Sequence, residues 1–148
     1  EAREAPDGRW AVTIVGLQRV RVERWLPDDP HPVAEVSPMP DRPGPGVPEV
    51  AYRSLESRLR RLLANLSELG DPVQAATFDL ADDPAFGTLQ MAALGPFTAY
   101  DRQLLLEADL VFERCGILDA LLADAQTVVD LRLGPDRGGD GPAVGSSR

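Results

Sequence analysis

No lysine occurs in these 148 residues, so all 15 basic side chains are arginines. That absence excludes Schiff-base chemistry, a Walker A lysine on nucleotide phosphates and a Ser-Lys acyl-transfer dyad. One cysteine, Cys115, excludes an internal disulfide, and one histidine, His31, leaves metal binding or proton relay without a second imidazole. Aromatic residues make up 5% of the chain, too few to pave a stacking platform. No apolar run approaches the roughly 18–20 residues that span a bilayer, and no membrane partner is expected. No basic stretch followed by an apolar run opens the chain, so no secretory signal is read and a cytoplasmic protein is expected.

What is present is an ordinary globular composition, 43% hydrophobic and 26% charged. The net charge of −9 repels phosphate backbones, so nucleic acid is not a favoured partner. The first residue is Glu1 rather than Met, and Pro6-Asp7-Gly8 is a turn signal of the kind that joins paired strands. A preceding segment is therefore expected to be missing.

Alternation of apolar and polar residues predicts strands over 9–15 and 18–25, joined in a hairpin through Gly16-Leu17, with a third strand over 33–37. On this reading Trp10 belongs to the core, Val20 and Val22 point inward, and Arg19, Arg21 and Glu23 point outward. Prolines 27, 30 and 32 forbid a regular ladder between the second and third strands.

The Pro- and Gly-rich stretch from Pro38 to Pro48 is the predicted boundary. A β subdomain occupies 1–41, a linker 42–48, a helical bundle 49–133 and a disordered tail 134–148. Helices are predicted over 48–68, from Asp82-Asp83-Pro84 to Gly95-Pro96, over 98–107 and over 109–133, with a loop at 71–81. Leu55, Leu59, Leu62, Leu66 and Leu69 form one apolar stripe; Val111, Cys115, Leu118, Leu122, Ala125 and Val129 form another that should pack on it.

Reactive side chains find little support. His31 lies between two prolines in a solvated turn, and Cys115 falls inside an apolar stripe. The paired acids Asp28-Asp29 and Asp82-Asp83 precede prolines, where solvation and helix capping explain them. Arg19, Arg21 and Arg24 make one local basic patch and Arg58, Arg60 and Arg61 another, with Glu23 and Glu56 alongside as salt-bridge partners. No catalytic residue, metal site or cofactor is expected. Trp25, at a strand end before the proline turn, is the best exposed contact, because tryptophan is over-represented at binding hot spots.

Several segments are similar to one family. Val15-Gly16-Leu17-Gln18-Arg19-Val20-Arg21-Val22, where a strand closes on Val-Gly and the next opens on a variant of Arg-Phe-Arg-Val with Val20 in place of the usual aromatic, resembles the middle of the substrate-binding domain at the amino end of Lon proteases. Val33-Ala34-Glu35-Val36 matches the short strand that follows there, and Asp101 to Glu107 matches its Gln-x-Leu-Leu-Glu helix. The likeness runs over residues 1–132. Two departures stand out: the family's opening strands are missing, and its Arg-Leu in the last helix is Arg114-Cys115.

The resemblance implies an α+β fold, a partial PUA-like antiparallel β pseudo-barrel followed by a helical bundle, in a stand-alone bacterial homologue or a fragment. It implies non-catalytic recognition of unfolded or tagged polypeptides; from the residues themselves, Trp25, Arg19 and Arg21 are the candidate binding residues. Two alternatives stay open, an RNA-binding PUA-like module and a small hydrolase using Asp28 or Asp83. An incomplete barrel also leaves an unpaired strand edge, so self-association through it is expected.

Overall fold

The computed structural model describes residues 2–12, 14 and 16–134, which divide after Asp41 into two compact units. Four strands in two antiparallel pairs followed by four helices make the chain α+β. The segment from 135 onward, expected to be disordered, lies outside the described residues.

In the amino-terminal unit, β1 (Ala2–Glu4) pairs with β2 (Trp10–Val12), Ala2 opposite Val12 and Glu4 opposite Trp10. The turn between them is fixed by its residues. Gly8 takes φ 80, a left-handed conformation that costs a glycine little. The Asp7 carboxylate accepts from the Arg9 backbone N–H and from Arg9 Nε, at 3.1 and 2.7 Å. A second ribbon joins β3 (Val20–Leu26) to β4 (Val33–Pro38), antiparallel, across the proline turn.

The expected hairpin through Gly16-Leu17 is not formed. β2 pairs with β1 and β3 with β4, and among the described residues the two ribbons do not pack on each other. β2 takes β1 as its partner across the tight Pro6-Asp7-Gly8 turn instead, and at the start of β3 the Arg19 carbonyl accepts from Met39 N–H at 2.9 Å. That bond extends the β3–β4 ladder backward, and Gly16 and Leu17 are exposed coil.

The carboxy-terminal unit carries the core. Its helices are α1 (Glu49–Glu68), α2 (Pro84–Leu94), α3 (Ala99–Glu107) and α4 (Val111–Leu133). The leucines of α1 and the stripe of α4 meet as their spacing predicts, with Leu55, Leu59, Leu62, Leu118, Leu122 and Val129 all buried in one cluster. Helix starts follow the local chemistry. Asp83 caps α2 by accepting from Ala85 N–H, ahead of Pro84, and Thr98 with Asp101 forms a reciprocal capping box on α3. α4 begins at Val111 rather than Asp109 because Leu110 is extended and the Asp109 carbonyl is taken by Arg42 N–H at 2.8 Å.

Polar side chains then lock the helices together. Arg114, fully buried on α4, donates to the carbonyls of Leu105 and Ala108 at the end of α3 and to Ala85 and Thr88 on α2. Arg60 organises the loop after α1. It donates to the Ala76 and Phe78 carbonyls, pairs with Glu56 and lies 4.3 Å from the Phe78 ring centre. Arg132 grips Asp71 through two nitrogens, at 2.5 and 2.9 Å, and Arg58 pairs with Asp119 across α1 and α4.

Two glycines give opposite expectations for alanine. A Cβ at Gly87 would lie 1.7 Å from Tyr52 Oη and 2.9 Å from the Ala81 carbonyl oxygen, which that hydroxyl bonds. Gly87→Ala should therefore cost about 2–3 kcal/mol of overpacking. Gly116 sits within α4 with nothing within 4 Å of a Cβ, so Gly116→Ala should stabilise by up to about 1 kcal/mol through helix propensity. Thermal melts of the two variants should move in opposite directions.

Acid should loosen the same unit. The Arg132 guanidinium holds the Asp71 carboxyl below its usual range, and Arg60, then Arg53, does so for Glu56. A depressed folded pKa means stabilisation that is complete above the unfolded carboxyl range, near about pH 4, and lost as pH falls through it toward the folded value. The melting temperature should drop on acidification below about pH 5, and Asp71→Asn should flatten that slope. An unchanged slope would assign acid sensitivity to other carboxylates.

Candidate functional site

Every apolar residue that is fully buried lies in the helical unit; among the described residues the amino-terminal unit buries none. Trp10, expected in the core, is 62% exposed, and Val12, Ile14 and Leu17 are exposed as well. Among the described residues, the two-stranded ribbon β1–β2 has no second layer to cover it, and its larger side chains are exposed.

The β3–β4 ribbon sorts its side chains by face with one irregularity. Val20 faces Pro38, Arg21 faces Ser37 and Val22 faces Val36; then the register shifts, and Arg24 faces Glu35, Trp25 faces Ala34 and Leu26 faces Val33. The extra residue is Glu23, a β-bulge. Side-chain bonds fix which residues share a face. Ser37 Oγ donates to Glu23 at 2.6 Å, Arg24 pairs with Glu35 at 2.9 Å, and Arg21 reaches Met39 Sδ at 3.9 Å. Arg21, Glu23, Arg24, Glu35 and Ser37 therefore form a polar face.

The opposite face carries Val20, Val22 and Trp25 from β3 with Ala34, Val36 and Pro38 from β4, and it contains no charge. Strict alternation from Val20 would have put Trp25 among the arginines. The bulge resets the phase by one residue and returns the indole to the valines. Val20, Val22 and Val36 are each close to half exposed and Trp25 is 68% exposed, so Val20 and Val22 do not point into a core as expected. The sequence signal for this was the break in alternation at Val22-Glu23-Arg24-Trp25, where two polar residues stand together before the aromatic.

The predicted contact residues are thus separated. Trp25 is on the apolar face and Arg21 on the polar one. Arg19, expected to point outward, is buried at 9% exposure, and its guanidinium pairs with Asp41 at 2.7 Å. Its neighbour across the ladder is Met39, so this ion pair anchors the open end of the ribbon to the chain that leaves β4. Asp41 had no signal in the sequence beyond its charge.

The remaining candidates are dispersed. His31 is exposed in the β3–β4 turn with Asp28 and Asp29, while Cys115 is buried in the helical cluster, where desolvation pushes its thiol pKa up. Asp82 pairs with Arg53 at 2.7 Å. Asp83, besides capping α2, lines a shallow, mostly apolar groove with Arg42, Gly44, Val47 and Val111. Among the described residues no three His, Cys, Asp or Glu side chains gather as a metal ion would need, and no helix is long and apolar enough to cross a membrane.

Comparison with known proteins bears on this arrangement directly. Residues 1–124 match the family model of the ATP-dependent protease La (LON) substrate-binding domain. The chain is also 29% identical over 127 residues to Lon protease 2 of Herpetosiphon aurantiacus, an alignment covering 85% of this chain and 16% of that protein. It therefore spans about a sixth of the length of that relative.

Proposed function

The chain belongs to the ATP-dependent protease La (LON) substrate-binding domain family, and from that membership we propose a module that recognises polypeptide substrates without cleaving them. Unfolded or tagged chains are the proposed ligands, in a cytoplasmic setting that a single buried thiol fits. The two ribbons are read as part of a PUA-like pseudo-barrel.

The observation that carries this reading is the uncharged, solvent-exposed face around Trp25. Apolar side chains left open together on one face of a sheet mark an interaction surface, and tryptophan supplies large contact area with few rotatable bonds. Trp25 is the proposed anchor. Arg19, tied to Asp41, and Arg21, on the other face, serve the ribbon that presents it. An RNA ligand fits less well, since the net charge is −9 and the exposed cations Arg9 and Arg24 are already paired with Asp7 and Glu35.

A permanently unfolded, fluorescently labelled protein is expected to bind the chain, read as a rise in anisotropy. Trp25→Ala should weaken that binding by about tenfold or more, the scale of a tryptophan hot spot, without lowering the melting temperature, because the indole is exposed. Undiminished binding by the variant would remove Trp25 from the site, and no binding by the parent chain would remove the function.

The ribbon's outer backbone edges are unpaired among the described strands, and self-association through them is the second proposal. Sedimentation at rising concentration should show a reversible increase in mass; a strict monomer throughout would overturn it.

A further inference from the structure

The electrostatics of the β3–β4 ribbon narrow the class of polypeptide its apolar face can take. In this unit Arg9, Arg19 and Arg24 are each committed to a carboxylate, Asp7, Asp41 and Glu35 respectively. Arg21 projects from the opposite face, against Met39. Asp28 and Asp29, in contrast, stand exposed in the turn just past Trp25 and meet no cation among the described residues. The turn is held open by Pro27, Pro30 and Pro32 and by Asp29 N–H bonding to the His31 carbonyl at 3.0 Å. Among the described residues, the apolar strip therefore ends on two negative charges that meet no cation.

Resting on the polypeptide-recognition reading, we infer that the occupant of this face is an extended apolar segment flanked by arginine or lysine. Its alternate side chains lie along Val20, Val22 and Trp25, and its cation meets Asp28 and Asp29. The spacing agrees with this. A strand advances about 3.3 Å per residue and shows the same face every second residue, so apolar groups at alternate positions of the ligand meet the valines and the indole in turn. The bulge at Glu23 is what keeps the indole in line with Val20 and Val22. A basic residue within about three positions of the last apolar one then reaches the turn. An acidic flank would meet the same carboxylates, and the −9 field of the chain, as repulsion.

The test uses the full chain and three labelled twelve-residue peptides sharing one alternating Val/Leu/Ser core, flanked at both ends by Arg-Arg, Ser-Ser or Glu-Glu. At low salt the Arg-flanked peptide should bind roughly fivefold tighter than the Ser-flanked one, as expected for one or two exposed ion pairs. The Glu-flanked peptide should bind more weakly than either. The double variant Asp28→Asn, Asp29→Asn should erase the difference between Arg and Ser flanks while leaving the Ser-flanked affinity in place. Equal affinities, or a preference that survives the double variant, overturn this inference and leave polypeptide recognition standing. Failure of all three peptides to bind removes both. A dimer that Trp25→Ala dissociates would give the face to a second copy of the chain and overturn the inference as well.

Discussion

A single guanidinium holds the helical unit in its arrangement. Arg114 is fully buried, and taking a cation out of water costs several kcal/mol before anything is recovered. The recovery comes from two acceptors at the carboxy end of α3, where helix carbonyls are left open, and two in the first turns of α2. Arg114 Nε donates to Leu105 at 3.2 Å, Nη1 to Ala85 at 3.0 Å and to Thr88 Oγ1 at 3.2 Å, and Nη2 to Ala108 at 3.4 Å. Bonds from a charged donor are worth about 1.5–3 kcal/mol each, so together they offset the desolvation. Thr88 passes the network on, its hydroxyl donating to the Pro84 carbonyl at 2.7 Å. The short helices α2 and α3 would otherwise depend on sparse apolar stripes; Arg114 ties the first turns of α2 and the carboxy end of α3 to α4.

Arginine recurs in this role across the unit, which gives the absence of lysine a structural reading. Arg102 on α3 closes the end of α2 by donating to the Ala92 and Gly95 carbonyls, and Arg60 gathers the loop after α1 with two carbonyls, a carboxylate and an aromatic ring. Each site engages several acceptors from one planar fork, and a lysine ammonium would serve it as a point charge only. Among the described residues, the amino-terminal unit has one buried counterpart, the Arg19–Asp41 pair, and no buried apolar side chain.

The difference between the two units also decides what was legible in the sequence. The helices could be placed within a residue or two, because leucine spacing, the acidic caps and Pro84 all indicate the same elements and burial then rewards them. Three of the four strands can be placed, but not their partners, and β1, three residues long, carries no alternation to find it by. Alternation shows that a segment is extended and is silent on which neighbour it pairs with, so it points to a Gly16 hairpin where the structure pairs β2 with β1 instead. Alternation places Trp10, Val20 and Val22 in an interior only where apolar strand residues have a core to face. In the described residues that core does not exist. Trp25 was readable as an exposed contact, whereas the face it occupies depends on the bulge at Glu23, and Arg19's burial depends on Asp41, 22 positions away.

The distribution of aromatic side chains has one more consequence. Both tryptophans of the chain, Trp10 and Trp25, stand on the ribbons, while Tyr52 and Tyr100 belong to the helices. Indole and phenol absorb at separable wavelengths, so the protein carries two built-in optical reporters, one for each unit. Light at the red edge of indole absorption interrogates the strands and leaves the helical bundle dark. The order in which the two halves lose structure can thus be followed in the unaltered chain.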